Sequence, residues 1–230
     1  MRDIAGAVAD VRARIAAAAE RSGREPATVT LVGATKTVDA SRMRQAVELG
    51  VHDLGENRAQ ELLAKAPALA GLPVRWHFVG RLQRNKVRGV ARLVECWQSV
   101  DREALGAVIA RHAPGARVLV EINLAAEAQK GGCAPGDAGA LVDALRELGL
   151  RVEGLMTIPP QEGDPRRWFA ALRELGERLG IVGLSMGMTD DFEIAIEEGA
   201  TIVRVGRALF GERPLPPGAS PRRAPREARN

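Results

Sequence analysis

Short runs of β-branched and aliphatic residues alternate along this chain with longer stretches whose apolar residues recur every three or four positions. That is the pattern of repeated strand–helix units around a parallel sheet. An N-terminal helix is expected over residues 4–22, ahead of a first strand at 28–34 (TVTLVGA) and a helix at 40–49. Further strands are expected at 52–54, 75–79, 93–100, 117–124, 152–158, 182–186 and 201–205. Helices are expected at 58–65, 85–91, 101–112, 137–148, 165–179, 190–198 and 208–211. The count is eight strands, each followed by helical sequence, with right-handed crossovers. The expected fold class is α/β: a single (β/α)8 TIM-type barrel over residues 1–212 with an extra N-terminal helix. A doubly wound sheet accommodates eight such units less well.

Composition changes this picture little. The 230 residues are 46% hydrophobic and 27% charged, ordinary values for a globular domain. No apolar run approaches the ~20 residues that span a bilayer, so no membrane association is expected. The Ala-rich start carries Arg2, Asp3, Asp10, Arg12 and Arg14, which does not fit a signal peptide. Cys96 and Cys133 are far apart and lack metal-ligand spacing, so two free thiols and a cytoplasmic location are expected. The net charge of +4 invites a nucleic-acid reading. Residues 213–230, however, hold five arginines against one glutamate and account for that charge by themselves. This Pro/Arg-rich segment reads as a flexible, disordered tail, the rest is balanced, and no nucleic-acid partner is expected.

In such a barrel the functional groups gather at the C-terminal ends of the strands, and a phosphate often binds after strands seven and eight. Lys36, after LVGAT in strand one, draws attention because only four lysines (36, 65, 86, 130) stand among 29 arginines. An arginine supplies charge, whereas a partly desolvated lysine amine can form a Schiff base. The plainer alternative is a strand-end lysine paired with Glu56 or Glu121, and position and composition leave both open. In SMGMTDD, Ser185, Gly187 and Thr189 precede a helix, with Thr189 as its expected N-cap and Asp190 and Asp191 in its first turn. In VGRALFG, Gly206 precedes a short helix whose free N–H groups could hold an anion. His77, between Trp76 and Phe78, is read as structural in preference to a general base. Lys130 and Cys133 in QKGGC carry little chemistry by themselves, and no cluster has metal-ligand spacing.

These segments, taken together, resemble the pyridoxal phosphate homeostasis protein family, whose barrel is similar to the N-terminal domain of alanine racemases. The resemblance is carried by VGATKT around Lys36, GENRAQE at 55–61, WHFVGRLQRNK at 76–86 and EINLAAEAQKGG at 121–132. It continues through GLMTIPP at 154–160, LSMGMTDDFEIAIEEGAT at 184–201 and VRVGRALFG at 203–211. It implies pyridoxal 5′-phosphate (PLP) as cofactor, held as a Schiff base on Lys36. It implies a phosphate surrounded by Ser185, Gly187, Met188, Thr189 and Gly206, Arg204 facing the pyridine nitrogen, and Asn57 lining the pocket. Where family members often carry threonine after VRVG, this chain has Arg207, whose backbone N–H could still serve the phosphate.

The implied role is intracellular PLP homeostasis: a monomeric carrier or regulator, with apo PLP-enzymes as recipients, lacking robust turnover. A permanently cationic Arg204 at the ring nitrogen weakens the cofactor as an electron sink. Racemases with that feature use two opposed bases, one a tyrosine from an added domain. This sequence has no tyrosine and, tail aside, no length for such a domain beyond the eighth unit. A PLP-dependent amino-acid racemase of low activity is the alternative. A third reading is a barrel that binds another phosphorylated metabolite, with Lys36 acting by charge alone.

Overall fold

The computed structural model describes residues 3–127, 129–160 and 162–211; the expected tail at 213–230 lies outside them. The chain forms a closed barrel in which each strand pairs in parallel with its sequence neighbour and β8 returns to β1. The strands are β1 (Thr30–Ala34), β2 (Asp53–Glu56), β3 (Arg75–Phe78), β4 (Val94–Val100), β5 (Arg117–Glu121), β6 (Arg151–Met156), β7 (Gly183–Ser185) and β8 (Ile202–Val205). Helix α1 (Ile4–Arg21) precedes them, and α2 (Ala40–Glu48), α3 (Ala59–Lys65), α4 (Arg84–Val90) and α5 (Glu103–His112) follow β1 to β4 in turn. After β5 to β8 come α6 (Ala138–Glu147), α7 (Arg166–Leu179), α8 (Phe192–Glu197) and α9 (Arg207–Phe210). The one strand misjudged by more than two residues is β5. It ends at Glu121 because the Asn123 N–H donates to the Cys133 carbonyl and the Cys133 N–H donates to the Glu121 carbonyl, pairing the chain with the KGGC loop.

Apolar spacing decides what each helix buries. In α1 the buried residues Ile4, Ala7, Val8, Val11, Ile15, Ala18 and Ala19 fall three or four apart, one face of a 3.6-residue period. That face packs on α2, α8 and α9. Arg14 bonds Glu193, Arg21 bonds Glu197, and Arg24 donates to the carbonyls of Ile196 and Ala200, tying the extra helix to the β7–β8 side. Alternation sorts the strands. Trp76, Phe78, Trp97, Val118 and Val120 face the helices and join the main core. Cys96, Leu119 and Met156 form a separate small cluster in the barrel interior, with Ile202 against it. Burying each such large side chain contributes about 1.5–3 kcal/mol. Both cysteines are free thiols, and burial pushes them up, Cys96 to about 12 and Cys133 to about 11. Among the described residues no helix is long and apolar enough to cross a membrane.

Candidate functional site

Lys36 is two residues past Ala34, on the side of β1 that faces the barrel interior. Val32 on that side meets Gly55 of β2, whereas Gly33 faces outward to Val51, Leu54 and Phe210. The residues flanking Lys36 are clamped from outside the barrel. Lys65 of α3 donates to the Thr35 carbonyl at 2.8 Å, to Glu56 Oε1 at 2.5 Å and to Glu61 Oε2 at 3.0 Å. The Thr35 hydroxyl donates to Glu56 Oε1 at 2.7 Å, and the Thr37 N–H donates to Glu61 Oε2 at 3.2 Å. Thr37 has φ 63°, a left-handed conformation that costs a non-glycine residue energy and that this clamp sustains.

The clamp removes one sequence reading of Lys36, its pairing with Glu56 or Glu121. Glu56 is a fully buried carboxylate already committed to Lys65. Neither it nor Glu121 pairs with Lys36, and the half-buried Lys36 amine has no hydrogen-bond or ion-pair partner among the described residues. Lys65 is thus a structural lysine. Lys130 is engaged as well, with Glu127 and with the carbonyls of Ile158 and Pro159.

The pairing of Gly33 with Val205 brings the end of β8 beside that of β1, and the loop after β7 folds over it. Here one expectation is corrected. Thr189 does not cap α8, which begins at Phe192 after Asp191. Its Oγ1 instead faces the start of α9, accepting from Gly206 N at 3.3 Å and Ala208 N at 3.5 Å. The Met188 N–H is taken by Asp191 Oδ1 at 2.6 Å, which is what turns Thr189 this way. Gly187 accepts from Arg204 N at 3.0 Å with φ 89°, and a Cβ there would lie 2.5 Å from Ala195 Cβ. Only glycine fits that turn. Arg207 is exposed and its guanidinium pairs with Asp190, leaving its backbone at the helix start. Thr189, Gly206 and the first turn of α9 therefore make one cradle, with Gly187, Met188 and Arg207 around it. Ser185 is set deeper: its hydroxyl is wholly buried and bonded to Gln98 and Arg204.

Arg204 lies inside the barrel, donating to Ser185 Oγ at 2.5 Å and to the Thr157 carbonyl at 2.9 Å. Burial pushes its guanidinium down to about 10, against the pull of Glu121 and Asp191, so it remains cationic at neutral pH. At the end of β5, burial and then the nearby Asp101 charge push the Glu121 carboxyl up to about 7, with Arg204 and Arg81 opposing. Asn57, just past β2, has its Oδ1 buried without a hydrogen-bond partner among the described residues. Its backbone is pressed against Gly80, where a Cβ would meet Asn57 O at 2.3 Å. His77 is buried, with Asp53 and Gln98 on its two ring nitrogens.

The structure thus gathers Lys36, Asn57, Thr189, Arg204 and Gly206 around the C-terminal mouth of the barrel. Sequence reasoning missed Asp53, Gln98 and the raised carboxyl of Glu121. The available signal was parity: each is a polar residue on the inward side of its strand, where an apolar one is the default. Among the described residues no three or more His, Cys, Asp or Glu side chains are grouped to hold a metal ion.

The family described as the alanine racemase N-terminal domain matches residues 8–214. The pyridoxal phosphate homeostasis protein of Pseudomonas aeruginosa is 44% identical over 223 residues, covering 93% of this chain and 97% of its own length. Among solved structures, PipY of Synechococcus elongatus with PLP bound is 32% identical at a TM-score of 0.79, with 91% of this chain and all of that one covered. A Bifidobacterium adolescentis protein described as unknown is 39% identical at a TM-score of 0.84, covering 90% of this chain and 94% of its own.

Proposed function

The chain belongs to the pyridoxal phosphate homeostasis protein family, within the group defined by the alanine racemase N-terminal domain, and from that premise we propose that it carries PLP covalently on Lys36 for intracellular supply, without robust turnover. The observation that carries this reading is the Lys36 amine, without a partner among the described residues, beside the Thr189–Gly206–α9 cradle. Two further features suit the cofactor. The N–H···O distances of 3.3 and 3.5 Å to Thr189 leave the N–H groups of Gly206 and Ala208 weakly satisfied and ready for an anion. The buried Asn57 Oδ1 has no donor among the described residues, an unfavourable state that a polar ligand in the mouth relieves.

When bound, PLP supplies an aldehyde that condenses with an amine and a ring that can take up electron density. Lys36 would hold the aldehyde end. The hydroxyl of Thr189 and the N–H groups of Gly206 and the start of α9 would hold the phosphate, and Asn57 would line the pocket. Arg204, fixed by Ser185 and Thr157 and cationic at neutral pH, would keep a proton off the ring nitrogen and so limit that uptake. The sequence also contains no tyrosine to act as a second base opposite Lys36. Holding the cofactor and passing it to apo PLP-enzymes fits this set of residues better than turnover.

An absorbance titration with PLP tests the proposal. The wild-type chain should develop the visible band of lysine-bound PLP, and Lys36→Ala should not. One observation favours the racemase alternative: Glu121, a mouth carboxyl pushed up to about 7, has the character of a general base. Loss of α-deuterium from an amino acid at many turnovers per hour, abolished in both Lys36→Ala and Glu121→Gln, would replace the carrier reading with that one.

A further inference from the structure

Below the mouth the barrel interior is polar along one line. Arg75 grips Asp53 through two bonds, at 2.8 and 2.6 Å. His77 Nε2 is 3.0 Å from Asp53 Oδ1, Gln98 Nε2 is 2.6 Å from His77 Nδ1, and Ser185 Oγ is 2.6 Å from Gln98 Oε1. Arg204 Nη1 closes the line on Ser185 Oγ at 2.5 Å. Asp53, His77, Gln98, Ser185 and Arg204 are each less than 9% exposed. Five inward-facing positions on β2, β3, β4, β7 and β8 are therefore joined by side-chain hydrogen bonds from one end of the barrel toward the other.

The polarity of this line is forced from both ends. A guanidinium only donates, so the Ser185 hydroxyl accepts from Arg204 and gives its own proton to Gln98 Oε1. That turns the Gln98 amide N–H toward His77, whose Nδ1 must accept. From the other end, the Asp53 carboxylate only accepts, so His77 Nε2 carries the hydrogen. Burial works to raise the Asp53 carboxyl, but the hydrogen bonds of His77 and Arg75 and the charge of Arg75 prevail and hold it well below the usual range. Both derivations give the same tautomer and the same amide orientation. If His77 or Gln98 loses its polar atoms, the Ser185 proton is no longer directed away from Arg204, and one of the two acceptors of the guanidinium becomes free to turn.

We propose that His77 and Gln98 are positioning residues that act through Ser185 to fix the Arg204 guanidinium in the mouth, and so set the affinity and absorbance of bound PLP. This rests on the reading above that Arg204 faces the cofactor ring. Neither residue touches the cofactor; each acts by directing one proton.

The test compares His77→Leu and Gln98→Leu, which break the line, with His77→Gln, which retains a donor and an acceptor. In the cofactor-free chain, nitrogen-15 NMR should find His77 protonated at Nε2. It should also find slowly rotating Arg204 Nη signals in the wild type and His77→Gln, and averaged ones in both leucine variants. With PLP, the leucine variants should bind about tenfold more weakly, as expected for the loss of one hydrogen bond to a charged group, and with a shifted absorbance maximum. His77→Gln should stay within about twofold of wild type. Should a leucine variant not fold, Gln98→Met keeps the length and volume, removes both the acceptor for Ser185 and the donor to Nδ1, and should show the same losses. A proton on Nδ1, or Arg204 signals and PLP affinity unchanged in folded variants that break the line, would overturn the proposal. Failure of the wild type to take up PLP would sink the functional reading, while the NMR comparison would still decide whether the line fixes Arg204.

Discussion

Replacing Lys65 with methionine probes the clamp that flanks Lys36. Lys65 is 14% exposed and supplies the cation for Glu56, which is not exposed at all, and for Glu61, which is 23% exposed. Methionine keeps most of the stem packing and removes three donated bonds. Stripping one partner from a buried ion pair costs about 3–5 kcal/mol, because the remaining charge is left uncompensated. The residual exposure of Lys65 and the ability of Glu61 to resolvate put this case at the low end, about 3 kcal/mol. For a chain of this size each kcal/mol lowers Tm by roughly 2–4 °C, so a fall of roughly 6–12 °C is expected. Urea unfolding followed by far-UV circular dichroism measures the free energy directly. The double variant Lys65→Met with Glu56→Gln removes the orphaned charge as well and should recover at least half of the loss. If Lys65→Met alone stays within about 1 kcal/mol of wild type, the clamp is not what restrains the backbone around Lys36.

Three further outcomes follow from the same geometry. Gly187→Ala must place a Cβ 2.5 Å from Ala195 Cβ at φ 89°, so a loss of about 3 kcal/mol in urea is expected, and an unchanged midpoint would refute the turn described here. Thr189→Val removes a hydroxyl without changing volume; PLP affinity measured by titration should fall about fivefold to tenfold with Tm nearly constant, and equal affinity would remove Thr189 from the cradle. Glu121 sets a pH dependence in the cofactor-free chain. Its folded carboxyl is pushed up to about 7, chiefly by burial, from an ordinary value near 4.5. The folded state thus binds more protons than the unfolded state between those values, and stability falls as pH rises through that window by about 3 kcal/mol. Glu121→Gln should flatten that slope; an identical slope in the variant would assign the effect to another group.

Much of the fold was legible because alternation and helical spacing are properties of the chain alone. Strand ends such as Ala34, Val100 and Val205 were foreseen in position, and with them the neighbourhood of Lys36 and Gly206. Partner choice was not. LVGAT before Lys36 carries no sign that Lys65, twenty-nine residues on, takes the carboxylate of Glu56. Thr189 reads as a helix cap because local sequence favours it. The Asp191 carboxylate captures the Met188 N–H and turns the threonine toward a helix from the next unit, a contact set by tertiary geometry. His77 was rightly read as a buried residue with satisfied ring nitrogens. Its satisfaction by Asp53 and Gln98 depends on β2, β3 and β4 being adjacent in register.

The central claim is that Lys36 carries the cofactor. Borohydride reduction of the PLP-loaded chain followed by peptide mapping tests it most directly, with Lys36→Ala as control. The account predicts a stable adduct on the peptide containing Lys36 and its loss in the variant. An adduct on Lys65, Lys86 or Lys130 in place of Lys36, or undiminished labelling of Lys36→Ala, would contradict it.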